Sequence, residues 1–155
     1  MTATIRESKM LQPHSAANRE QVADTMIGLT RLSNSHRVIV AGSDSLELSL
    51  YLRRRGFVHV TTTTSRIPRR QHAVGLVTGQ GSLLAIEAAL AQISQFLCPS
   101  AAIAVLIDSC ESGFSLKVRD RLEQMGFRIE AGVRCQQGLV LSAYRQGFIE
   151  MENAA

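Results

Sequence analysis

The sequence contains no tryptophan, and its two tyrosines and five phenylalanines make up only 5% of 155 residues. Proteins that grip single-stranded nucleic acid by stacking bases need exposed aromatic platforms, so this composition argues against a nucleic-acid partner. Only three cysteines occur, at Cys98, Cys110 and Cys135. They are far apart, odd in number and form no C-x-x-C pair, which suits free thiols in a reducing cytoplasm. The four histidines, His14, His36, His59 and His72, show no i,i+4 pair and no adjoining cysteine or carboxylate pattern. No metal site is therefore expected. No apolar run near the N-terminus reaches the length of a secretory segment, and none elsewhere reaches that of a membrane span.

What is present has a globular balance, with 45% apolar and 19% charged residues. The length suits a single domain with a core of its own. The net charge is +4, with arginine runs at Arg53-Arg54-Arg55 and Arg69-Arg70. A mild basic excess permits an anionic ligand, and a solvated face is the simpler reading of each run.

Residues 1–13 are polar, end in Pro13 and read as a flexible arm; the tail 146–155 reads the same way. A single domain is expected over 14–145. Val22, Met26 and Leu29 fall at helical spacing and predict an N-terminal helix over about 15–32, ahead of a core spanning 37–145. Arg37-Val38-Ile39-Val40-Ala41 is a β-branched run ending at Gly42, the pattern of a buried parallel strand. Leu46, Leu48, Leu50 and Leu52 alternate with a strand's period. Against that, Asp44 with Glu47 resembles a capping box, the three arginines suit a helix C-terminus and Gly56 suits a left-handed cap, so a helix is predicted.

Strands are predicted at 57–63 and 73–77, separated by a basic loop containing Pro68. A helix is predicted from Ser82 through the stripe Leu83, Ile86, Leu90, Ile93 and Leu97, stopped by Pro99. Ala101 to Ile107 reads as a strand buried on both faces, and about 114–125 as a helix capped by Gly126. Alternation from Phe127 to Val133, the turn Cys135-Gln136-Gln137-Gly138 and the run Leu139 to Tyr144 predict an antiparallel hairpin. The fold class is α/β: a Rossmann-like three-layer sandwich with a mostly parallel sheet of about six strands, closed by a C-terminal antiparallel β-hairpin and preceded by an extra helix.

Several segments carry a family resemblance. They are Val38-Ile39-Val40-Ala41-Gly42, then Ser43-Asp44-Ser45-Leu46-Glu47, then Leu52-Arg53-Arg54-Arg55-Gly56-Phe57, with Phe96-Leu97-Cys98-Pro99 and Leu122-Glu123-Gln124-Met125-Gly126-Phe127 later. Their order over residues 37 to 145 resembles the class I S-adenosylmethionine-dependent methyltransferase fold, which ends its sheet with an inserted antiparallel strand. The core is short for that family, because only a loop joins the strands at 57–63 and 73–77. The resemblance implies a glycine-rich first turn against the cofactor, where backbone must come close without a Cβ. Gly42 matches its first glycine, while Asp44 and Leu46 stand where later glycines are expected. It also implies an acidic residue after the second strand to bind the ribose hydroxyls. Thr62-Thr63-Thr64-Ser65 stands there instead, and His72 precedes Ala73-Val74 where a further acidic residue is expected.

Ligands of open parallel sheets bind beyond the strand C-termini. The cofactor-binding candidates at that edge are Gly42, Ser43, Asp44, Thr63, Thr78, Gly79 and Gly81, with Gln80, Asp108 and Cys110 nearby. Thr78-Gly79-Gln80-Gly81-Ser82 joins a strand to a helix N-terminus, which suits an anion, or a tight turn with Ser82 as N-cap. It lacks the Lys-Ser/Thr pair of a P-loop. Asp108-Ser109-Cys110-Glu111 puts two carboxylates beside a thiol, with no histidine near in sequence to activate it. Three departures in one cofactor site imply a non-catalytic methyltransferase-like domain used in interaction or oligomerisation, as a homodimer. An S-adenosylmethionine-dependent methyltransferase with atypical motifs, and a binding module for another nucleotide or anion, are the alternatives.

Overall fold

The structure is a computed structural model that describes residues 16–63, 67–78, 82–108 and 113–145. Its strands are β1 (Val38–Gly42), β2 (Val60–Thr62), β3 (His72–Thr78), β4 (Leu97–Ile107), β5 (Phe127–Arg134) and β6 (Leu139–Arg145). They form one sheet in the order β2-β1-β3-β4-β6-β5. The first four run parallel; β6 is antiparallel to both β4 and β5. The helices among the described residues are α1 (Ala16–Thr30), α2 (Ser45–Arg54), α3 (Leu83–Ser94) and α4 (Phe114–Gln124).

Helices cover both faces. Val22, Ala23 and Met26 of α1 and Leu48 and Leu52 of α2 pack with Val38, Val40, Leu76 and Leu106 on one face. Ile86, Leu90 and Ile93 of α3 and Val118 and Leu122 of α4 pack with Ile39, Val77, Ile103 and Val105 on the other. Burial from both sides explains why β1 and β4 read as continuous apolar runs rather than alternating ones. The three-layer sandwich, the six strands and the antiparallel closing hairpin are all present. The N-terminal helix covers a sheet face and lies beside α2.

Helix α2 carries the ambiguous leucines. Helical winding buries Leu48 and Leu52 and leaves Leu46 and Leu50 exposed, so one set of alternating leucines splits between core and solvent. Gly56 takes φ 98° just after this helix, the left-handed conformation expected of a closing glycine.

Several features differ from the sequence reading. Helix α3 ends at Ser94, and Leu97 to Ser100 belong to β4. Pro99 therefore sits in a strand rather than stopping a helix. It is tolerated because His72 pairs with Leu97 and Val74 with Ala102, so the intervening residues of β4 bulge out of the ladder where no N–H is needed. Strand β2 holds only three residues, not the seven of 57–63, because it lies at the sheet edge and pairs with β1 alone. Asp44 is the N-cap residue of α2, yet its side chain makes no capping bond, and Glu47 pairs with Arg19 at 2.9 Å instead of reaching back. Tertiary contact with α1 thus replaces the local capping box. The arm 1–13 and the tail 146–155 lie outside the described residues.

Candidate functional site

Because β1 to β4 are parallel, Gly42, Thr62, Thr78 and Ile107 end at one edge of the sheet. The hairpin tip between β5 and β6 arrives at the same edge, since β6 runs down from it. This is the edge where open α/β sheets bind ligands.

The β1–α2 turn is tightly determined. Gly42 has φ 108°, and a Cβ added there would lie 1.8 Å from the Thr78 carbonyl oxygen and 2.8 Å from its Oγ1. The Asp44 N–H donates to Thr78 Oγ1 at 3.1 Å. Thr78 is buried, while Gly42 and Ser43 face solvent. Of the expected cofactor residues, Gly42, Ser43, Asp44 and Thr78 are thereby brought together. Thr63 follows β2 on the far side of β1 and is half-buried. Gly79, Gln80, Gly81 and Cys110 lie outside the described residues. Ser82 caps α3 by accepting from the Ala85 N–H at 3.2 Å, the role its position predicts.

A cavity of about 180 Å³ opens between α1, α2 and this edge. Val22, Ala23, Leu48 and Leu106 give it apolar walls; Asp44, Thr78 and Gln137 give it polar groups. The Asp44 carboxylate is not engaged in capping. Gln137 Oε1 is buried without a hydrogen-bond partner among the described residues. A buried acceptor left in this state is costly unless a donor reaches it, and a ligand can supply one. Two clamps hold α1 over the cavity. One is the Arg19–Glu47 pair; the other joins Asp24 to the Tyr51 hydroxyl at 2.8 Å and to the Arg55 guanidinium. The hairpin tip is tied to α1 as well, through the Gln136 N–H and Gln21 Oε1 at 3.3 Å.

Arg19, Glu20, Ala23 and Gln137 line this space and were not singled out from the sequence. Nothing in the pattern of residues 15–32 tells which end of α1 meets the strand ends, and Gln137 reads only as a turn residue. Among the described residues, no group of three or more His, Cys, Asp or Glu side chains is placed to share a metal ion. No described helix is long and apolar enough to cross a membrane.

The strand order, the antiparallel insertion of β6 and the helices on both faces define a methyltransferase-like Rossmann fold, the fold of class I S-adenosylmethionine-dependent methyltransferases. Among solved structures the chain is similar to the 1,6-didemethyltoxoflavin-N1-methyltransferase of Burkholderia thailandensis, which holds 1,6-didemethyltoxoflavin and S-adenosylhomocysteine. The two share 14% identity over 93% of this chain and 88% of that one, with a TM-score of 0.57. A methyltransferase from Aquifex aeolicus is 14% identical over 88% and 97% of the two chains, with a TM-score of 0.55. The protein-(glutamine-N5) methyltransferase of Alicyclobacillus acidocaldarius is 16% identical over 86% and 94%, with a TM-score of 0.54. At these identities the likeness is one of fold. No protein-family model matches the chain, and no curated protein matches it.

Proposed function

We propose that this chain is a methyltransferase-like domain that does not transfer methyl groups and acts in protein interaction, as a homodimer. The closed β1–α2 turn carries this reading. Where a cofactor needs open backbone, the Asp44 N–H is already engaged by Thr78 Oγ1, and Asp44 and Leu46 add side chains where glycines would leave room. The end of β2 supports it too: Thr62 and Thr63 stand there, and neither brings a carboxylate to bind a ribose. An interaction role is supported by Leu46 and Leu50, one turn apart on α2 and exposed by 65% and 49%. Calorimetric titration with S-adenosylmethionine and S-adenosylhomocysteine tests the first half, and micromolar binding of either would overturn it. Light scattering after size exclusion tests the second half, and a strict monomer across concentrations would overturn it.

A second reading, methyl transfer with atypical motifs, is favoured by the cavity itself. It lies at the ligand-binding edge and offers the unengaged Asp44 carboxylate and the orphan Gln137 acceptor. In this reading S-adenosylmethionine binds along the edge and its substrate enters under α1. The same titration decides between the two.

A further inference from the structure

We propose that the cavity beneath α1 binds a compact apolar amine, a molecule about one ring in size whose N–H donors go to the Asp44 carboxylate and to Gln137 Oε1. The volume of about 180 Å³ sets the size. A cavity of about 150 Å³ with apolar walls holds benzene, so this one takes a single ring with a short polar arm. Its walls suit such a body, since Val22, Ala23, Leu48 and Leu106 line it and are themselves buried.

The amide acceptor is built into the fold. Gln137 sits in a closed turn, where the Cys135 N–H donates to the Gly138 carbonyl at 2.7 Å and the Gly138 N–H donates back to the Cys135 carbonyl at 3.2 Å. Gly138 lets this turn press against the end of β4: a Cβ added there would lie 2.3 Å from the Ile107 carbonyl oxygen. The Gln136 N–H ties the same turn to Gln21 of α1. Gln137 is therefore held at the cavity by its neighbours, and its Oε1 is buried with no hydrogen-bond partner among the described residues. A fixed, buried acceptor in this state is costly until a donor reaches it.

Asp44 supplies the charge. Among the described residues its carboxylate makes neither a capping bond nor an ion pair. The cations on the lining do not answer it. Arg19 is taken by Glu47 at 2.9 Å, and Arg54 stands at the far end of α2, about 15 Å from Asp44 along the helix axis. Glu20 adds a second, exposed carboxylate on α1. A carboxylate and an amide oxygen offer acceptors, so the matching group is a donor, and beside a carboxylate a cationic donor bonds best. An ammonium carries three donors on one atom and can serve both acceptors, whereas Asp44 would repel an anion. The inference goes beyond both readings above, because the amine needs no S-adenosylmethionine in order to bind.

The full chain is followed by heteronuclear NMR as benzylamine, benzyl alcohol and benzoate are added in separate titrations, which are repeated with Asp44→Asn and Gln137→Met. Benzylamine should bind tightest and shift the amides of Ala23, Asp44, Leu48 and Gln137. Asp44→Asn should weaken it about tenfold or more, as loss of a charge-assisted bond requires, and bring it level with benzyl alcohol. Gln137→Met is of similar length and lacks the acceptor, so it should weaken benzylamine by about threefold to tenfold. The proposal is overturned if benzylamine does not bind, if it shifts only amides away from the cavity, if benzoate binds as well, or if either variant binds it unchanged. Neither the Asp44 carboxylate nor Gln137 Oε1 has a bond to lose among the described residues, so both variants should keep the native spectrum away from the cavity. Titration with S-adenosylmethionine reports separately on methyl transfer, so failure of either result leaves the other standing.

Discussion

The carbonyl oxygen of Thr78 occupies the space that a side chain at Gly42 would need, since an added Cβ would come within 1.8 Å of it. Two strands meet here at a distance only glycine permits, and the Thr78 hydroxyl then receives the Asp44 N–H. The glycine that matches a cofactor motif is therefore demanded by the fold itself, with or without a cofactor.

Gly42→Ala should be severely destabilising. The contact is with main chain, which cannot swing aside, and φ 108° is strained for any L side chain. We expect a loss of about 3 kcal/mol or more, or no folded protein at all. Gly56→Ala is the control: φ is 98° there too, but nothing lies within 4 Å, so the cost should stay near 1–2 kcal/mol, roughly the left-handed penalty alone. Urea unfolding of both variants checks the contrast, and equal losses would refute it.

Thr78→Val keeps the shape of the side chain and removes the acceptor of the Asp44 N–H. The expected cost is about 1–2 kcal/mol. Thr78→Ser keeps the oxygen and should recover most of the acceptor's share. If valine and serine behave alike, the hydroxyl contributes nothing to holding the turn.

His72 is buried at the start of β3, with Nδ1 3.3 Å from the Phe96 carbonyl oxygen. Burial pushes its pKa below the ordinary value, the Phe96 bond opposes this, and the charge of Arg37 adds to the lowering. The unfolded chain therefore binds a proton more readily than the native one. Stability from this site is complete above about pH 6.5, the ordinary histidine value, and falls as pH drops through the lowered native pKa. Denaturation midpoints measured from pH 7.5 downward should decline over that window. His72→Gln should flatten this part of the profile.

Arg145→Met should cost about 2–4 kcal/mol, because it leaves carbonyls of Ser94, Leu97 and Cys98 without their charged donor. Arg19→Ala should cost less than about 1 kcal/mol, because the pair with Glu47 is half exposed and screened. Thermal unfolding of the two variants should separate them clearly, and high salt should shrink only the second effect.

Much of the fold was legible because its signals are local. β-branched runs, caps and the closing glycines of α2 and α4 act over a few residues, and they marked the order of elements and the terminal hairpin correctly. Pro99 misled because a proline's meaning depends on whether its N–H is needed, and the bulge that frees it is set by pairing with β3. The Asp44–Glu47 signal marked the start of α2 correctly, but its capping bonds are not made: Arg19, far away in sequence, pairs with the Glu47 carboxylate. Within the site, Gly42 and Thr78 were both marked as edge residues, but their mutual contact was not.

By itself, then, the sequence determined an α/β chain with alternating strands and helices, a sharp turn at Gly42 and an antiparallel end, since periodicity and turn chemistry are properties of neighbouring residues. Only the tertiary structure decided that Thr78 closes that turn and that α1 roofs a cavity reaching Gln137. Each of these joins residues far apart in the chain, and their spacing is set by strand order and register, which no local pattern encodes.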